Sequence, residues 1–109
     1  MADFKLELLV QVALNQESTV LYTVPNGKTC IITECILCNT SPNDVNIYQS
    51  FVKRAEGLST KNTIIKDLTL KPNETYRMTF STFLAPYTTI RMHATEENVV
   101  SCQISGVLI

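Results

Sequence analysis

Tyr22–Thr40, reading YTVPNGKTCIITECILCNT, is the stretch that decides the fold class. It reads as a short strand, a tight turn and a long β-branched run. Pro25 pre-sets a negative φ for the first corner position, and Asn26 and Gly27 tolerate the positive φ needed next, so the spacing predicts a hairpin. From Thr29 to Cys38 the odd positions carry Thr29, Ile31, Thr33, Cys35 and Leu37, and the even ones Cys30, Ile32, Glu34, Ile36 and Cys38. Both faces are mostly apolar. This run is expected to be a central strand, buried on both faces, in a two-layer β structure.

Toward the N-terminus, period two continues. Val20, Tyr22 and Val24 alternate with Leu21 and Thr23, ahead of a polar connection at Asn15 to Ser18. Before that, Phe4, Leu6, Leu8, Val10, Val12 and Leu14 form an inward face, with Lys5, Glu7, Leu9, Gln11 and Ala13 outward. Toward the C-terminus, the turn-rich Asn39 to Asp44 leads into a strand in which Val45, Ile47 and Phe51 share a face with Gln49. Arg54 to Asn62 is polar and aperiodic, an exposed loop suited to carrying contacts. Ile64, Leu68 and Leu70 set the face of the next strand, Thr63 to Leu70. After a turn at Lys71 to Glu74, Tyr76, Met78, Phe80, Thr82 and Leu84 alternate with outward residues including Phe83. Ile90, Met92 and Ala94 face in from the following strand, and Val100, Cys102, Ile104, Gly106 and Leu108 from the last. About eight short strands with no helical pattern predict an all-β fold, an antiparallel β-sandwich of jelly-roll type.

With 109 residues the chain reads as one domain, 1–109, able to bury roughly two thirds of its unfolded surface. Net charge is −1, and charged residues make up only 17% against a usual ~25%, so no basic stripe is available for a phosphate backbone and nucleic-acid binding is not expected. The apolar run Leu8 to Val10 is far short of the ~20 residues of a membrane span, and Asp3, Lys5 and Glu7 break a signal-peptide pattern. Synthesis in the cytoplasm is the expectation. The Asn-x-Ser/Thr matches at Asn39 and Asn73 then read as turn composition rather than glycosylation sites.

Nothing in the pattern points to catalytic, cofactor-binding or metal-ligating residues. Cys30, Cys35 and Cys38 cluster, but residues 30 and 38 of an extended strand lie ~26 Å apart, and strict alternation turns Cys35 away from both. Cys102 sits on another strand. The Cys35-x-x-Cys38 spacing lacks the helix N-terminus that redox chemistry uses. All four are expected to be reduced, buried small hydrophobes in a reducing compartment. His93, the single histidine, shares its face with Arg91 and Thr95 and reads as a surface residue; Glu96 and Glu97 read as a solvated corner. Tyr22, Tyr48, Tyr76 and Tyr87 read as strand residues with wet tips, or as stacking groups for a sugar.

Three segments carry a resemblance: VLYTVPNGKTCIITECILCNTS, LTLKPNETYRM and the closing ISGVLI. Residues 20–109 resemble the small β-sandwich structural proteins of tailed bacteriophage particles, in which a Tyr-Thr-Val-Pro-x-Gly-Lys-Thr segment opens a strand ending Cys-Asn-Thr-Ser and a Leu-x-Pro-Gly-Glu-Thr turn follows later. Asn73 stands where that turn usually has Gly, and Asn also reaches positive φ. Ala85-Pro86-Tyr87 replaces a Gly-Asp turn, and residues 1–19 lie largely outside the resemblance. The resemblance implies a non-enzymatic virion protein of capsid-decoration, head-fibre or tail type, without cofactors, with itself and other virion proteins as partners. The alternative is a module of a tail or fibre that binds a host-surface glycan or receptor. Leu9, Phe83, Val107 and Ile109, placed outward by alternation, add an expectation of self-association.

Overall fold

A computed structural model of the chain describes residues 5–109, so Phe4 of the first predicted strand lies outside the described residues. Among the described residues eight strands follow the predicted segments closely: β1 Leu6–Ala13, β2 Thr19–Thr23, β3 Cys30–Asn39, β4 Val45–Val52, β5 Thr63–Leu70, β6 Thr75–Leu84, β7 Thr89–Ala94 and β8 Val100–Leu108. The helical content among the described residues is one 3₁₀ turn, Thr60–Asn62. The strands form two four-stranded sheets, ordered β1-β8-β3-β6 and β2-β7-β4-β5, with every neighbouring pair antiparallel. Successive strands cross from sheet to sheet along most of the chain, which is the winding of a jelly roll.

That winding corrects the hairpin expected at Pro25. β2 pairs with β7 in one sheet, whereas β3 lies between β8 and β6 in the other. The turn is real: the Lys28 amide donates to the Pro25 carbonyl at 3.2 Å and Gly27 takes φ +75°. Pro25, however, occupies the position before the corner, and the turn joins two sheets. On its near side Val24 exchanges hydrogen bonds with Tyr87 and Thr88, and on its far side Thr29 exchanges them with Ile109. The long ladders of β3 with β8 and β6 satisfy far more backbone groups than the five-residue β2 could, so β3 leaves its sequence neighbour.

The core lies between the sheets. β3 and β8 contribute Cys30, Ile32, Cys35, Leu37, Val100, Cys102 and Ile104; β4 and β7 contribute Val45, Ile47, Phe51, Ile90, Met92 and Ala94. These are the predicted inward faces of β4, β7 and β8. β3 is central as expected, but only its core side is fully buried; Ile31, Glu34, Ile36 and Cys38 are half-buried on the other side.

Four irregularities overturn predicted facings. In β2, Leu21 is the extra residue between Val20 and Tyr22, so Val20 points outward and Leu21 packs against the core. In β1, Leu8 pairs with Ser105 and Val10 with Ile104, leaving Leu9 as an extra residue, a β-bulge. Leu6 and Leu8 therefore point outward, 62% and 53% exposed, and Leu9 packs against the core instead of facing water. The bulge has a partner: a Cβ on Gly106 would lie 2.9 Å from Leu9 Cδ1, so the missing side chain at 106 makes the room that Leu9 fills. In β3, Thr33 is the extra residue opposite β8, between Ile32 and Glu34. This turns Cys35 inward, onto the same side as Cys30, with Cys38 outward. In β5, Asp67 adopts φ +56° and the step from Ile65 to Leu68 faces the shorter step from Gln49 to Ile47, so Ile65 rather than Ile64 is buried. Asn73 takes φ +62°, the conformation expected for a residue in place of Gly.

Candidate functional site

The groups that invite a chemical reading end up apart. Cys35 and Cys102 both face the core, where the neighbouring Cys35 thiol together with burial holds the Cys102 thiol above its ordinary range. Cys102 Sγ lies 3.7 Å from Met92 Sδ, and Gln49 directs its Nε2 at Met92 Sδ (3.2 Å) and Cys35 Sγ (3.9 Å). Gln49 Oε1 is buried without a hydrogen-bond partner. Cys30 lies elsewhere in the core, its thiol pushed up to about 11 by burial, and Cys38 is half-buried on the outer side. Among the described residues no three His, Cys, Asp or Glu side chains converge as metal ligands would. Asn39 is buried, its Nδ2 donating to the carbonyls of Asn43 (2.7 Å), Leu70 (3.0 Å) and Lys71 (3.2 Å) while Oδ1 accepts from the Ser41 amide. That nitrogen is a structural tie between the β3 end and the β5–β6 turn.

The outer side of β2-β7-β4-β5 is polar. His93 stacks on Tyr48 with ring centroids 4.5 Å apart and planes 5° from parallel, and burial there lowers the imidazole pKa. The Tyr48 hydroxyl donates to Asp67, which also accepts from Asn46 Nδ2 at 3.2 Å. A shallow depression of about 280 Å³ beside them is lined by Tyr48, Ser50, Leu58, Thr60, Thr63 and Lys66. The Arg54 to Asn62 loop is held by an ion pair of Lys61 with Glu56 (2.7 Å) and by Asn62, which bonds Ser59 and Gly57. The tyrosines are dispersed: Tyr22 packs on the core, Tyr48 on His93, and Tyr87 under the Arg54 guanidinium at 4.5 Å. Tyr76 is exposed on β6. They form no common stacking platform.

The outer side of β1-β8-β3-β6 is different in kind. Pairing register places four residues in one row across all its strands: Leu6 opposite Val107, Val107 opposite Ile31, Ile31 opposite Phe83. Phe83 is 68% exposed, and Leu8 and Ile109 flank the row. The remaining outward positions are Gln11, Ala13, Ser101, Gln103, Ser105, Ile36, Cys38, Thr75, Thr79 and Ser81, with two charges, Glu34 and Arg77. Those two neutralise each other, Arg77 Nε donating to Glu34 Oε2 at 2.6 Å. Sequence alternation found Phe83, Val107 and Ile109; it missed Leu6 and Leu8, because the bulge at Leu9 inverts their facing. A sheet face with no net charge and a continuous apolar row is suited to contact with another protein surface.

No family model and no curated protein sequence matches this chain. Solved structures do. The chain superposes on a chain from the structure of infectious bursal disease virus, Gx strain, with TM-score 0.53, 11% identity and 97% of its own length covered. It covers 31% of that longer chain. A crystal structure of the T13 viral particle of the same virus gives TM-score 0.48 at 10% identity, with 97% of this chain and 31% of that chain covered. At such identity the likeness is one of fold.

Proposed function

We propose that this chain is a non-enzymatic structural subunit of a virus particle that works by docking on copies of itself and on other particle subunits. The observation that carries the reading is the outer side of β1-β8-β3-β6, four strands wide, whose only charges among the described residues pair with each other and whose apolar row is open to solvent at Leu6 and Phe83. A jelly-roll fold shared with a chain of an animal-virus particle supports it. The narrower assignment, to the capsid, head fibres or tail of a tailed bacteriophage, rests on the segment resemblances at Val20 to Ser41, Leu68 to Met78 and Ile104 to Ile109. On this reading the protein is made in the host cytoplasm and resides in the virion.

The test is rebinding. Particles lacking the protein are incubated with the purified chain and imaged; added density at symmetry-related positions is the expected result. Failure to rebind, together with binding to a host-surface glycan, would overturn the reading in favour of a receptor-binding module using the Tyr48 side.

A further inference from the structure

We infer that the outer side of β1-β8-β3-β6 packs against the same side of a second copy, about a two-fold axis that runs along the strands between β8 and β3. The inference deepens, and rests on, the reading of the chain as a self-associating subunit.

Three observations single out a second copy as the occupant. The first is charge: a face whose Glu34 and Arg77 already neutralise each other offers no charged partner a complement, and meets no repulsion from its own image. The second is the sheet order. An axis along the strands exchanges β1 with β6 and β8 with β3 while keeping each residue at its own level. Leu6 then meets Phe83 of the second copy, and Val107 meets its Ile31, so the apolar row falls on itself. At the next levels Glu34 meets Ser105, Arg77 meets Gln11 and Gln103 meets Ile36, so no like charges face each other. An axis across the strands at mid-face would instead set Phe83 over the Thr75 end and Leu6 over the Ala13 end. One along the row itself, which lies at one end of the sheet, would keep the row matched but leave most of the face uncovered. The third is area. Four strands of eight to ten residues give a flat footprint of about 19 by 30 Å, which with side-chain relief approaches the ~800 Å² per partner of a standard interface.

The test measures the oligomeric state of the full chain by light scattering across the micromolar range, with folding checked by circular dichroism. Wild type is expected to be a dimer or an even-numbered assembly. Phe83→Glu, at a residue already 68% exposed, is expected to fold normally and raise the dissociation constant about 30-fold or more, whereas Val20→Glu on the opposite sheet leaves it unchanged. A second measurement uses the double variant Leu6→Cys/Phe83→Cys. The two positions lie three strands, ~14 Å, apart within one copy, beyond the reach of a disulfide, so mild oxidation is expected to give a covalent dimer that neither single variant gives. An oligomer untouched by Phe83→Glu, or an uncrosslinked double variant, overturns the assigned face while leaving self-association standing. A monomeric wild type that still rebinds particles overturns the inference but not the structural role. A monomer that also fails to rebind removes both.

Discussion

Of the three glycines, Gly106 is the one at which an added Cβ meets other atoms. A Cβ built there would sit 2.6 Å from the Ile31 carbonyl oxygen and 2.9 Å from Leu9 Cδ1. The first contact is with backbone held in the β3–β8 ladder, so relief requires moving a central strand by several tenths of an ångström. Overpacking of this kind costs about 1–3 kcal/mol. Against it, Gly→Ala narrows the unfolded ensemble and returns about 0.4–1 kcal/mol. The net expectation for Gly106→Ala is a loss of about 1–2 kcal/mol. With an unfolding entropy of ~2.1 cal/mol/K per residue, the chain gives up ~4 °C per kcal/mol, so the melting temperature should fall by about 4–9 °C in a calorimetric scan. Adding Leu9→Ala separates the two contacts. If the Ile31 carbonyl is the main obstacle, the double variant recovers at most a small part of the Gly106→Ala loss beyond what Leu9→Ala itself costs. A Gly106→Ala protein melting within a degree of wild type would refute the account of both the close strand approach and the bulge beside it.

Other expected outcomes follow from the same structure. Gly27→Val should lower stability by about 1 kcal/mol or more through backbone strain alone, since φ is +75° and no heavy atom lies within 4 Å of the added carbon; an unchanged denaturant midpoint would contradict the turn. Asn39→Asp keeps the shape but turns an acceptor toward three carbonyls, and should cost about 3 kcal/mol by chemical denaturation, with near-neutrality as the refuting result. We expect all four cysteines to be reduced and metal-free, with at most Cys38 alkylated in the native state and all four after unfolding; a disulfide between Cys35 and Cys102, or stoichiometric zinc, would show otherwise in the mass spectrum and by elemental analysis.

Side-chain alternation is local, and what depends only on it was legible. In Tyr76 to Leu84 and Val100 to Leu108 the polar and apolar sides read off the chain match the two sides of the sandwich, because each residue's direction follows from its neighbours. Turn conformation was legible on the same ground at Gly27 and Asn73. Partner choice was not. The Pro25–Lys28 turn fits a hairpin or a corner equally well, and only the competition of β8 and β6 for β3 makes it a corner. The bulges were hidden for a similar reason: Leu9 turns inward because residue 106, nearly a hundred positions away, has no side chain, and Thr33 slips out of register against β8. Each extra residue inverts the strand beyond it, so Leu6 and Leu8 come to the outer surface and Cys35 to the core. The apolar row from Leu6 through Val107 and Ile31 to Phe83 draws on four strands scattered along the sequence. Hydrophobicity and alternation belong to the sequence; adjacency across a sheet exists only once non-local pairing has set the register.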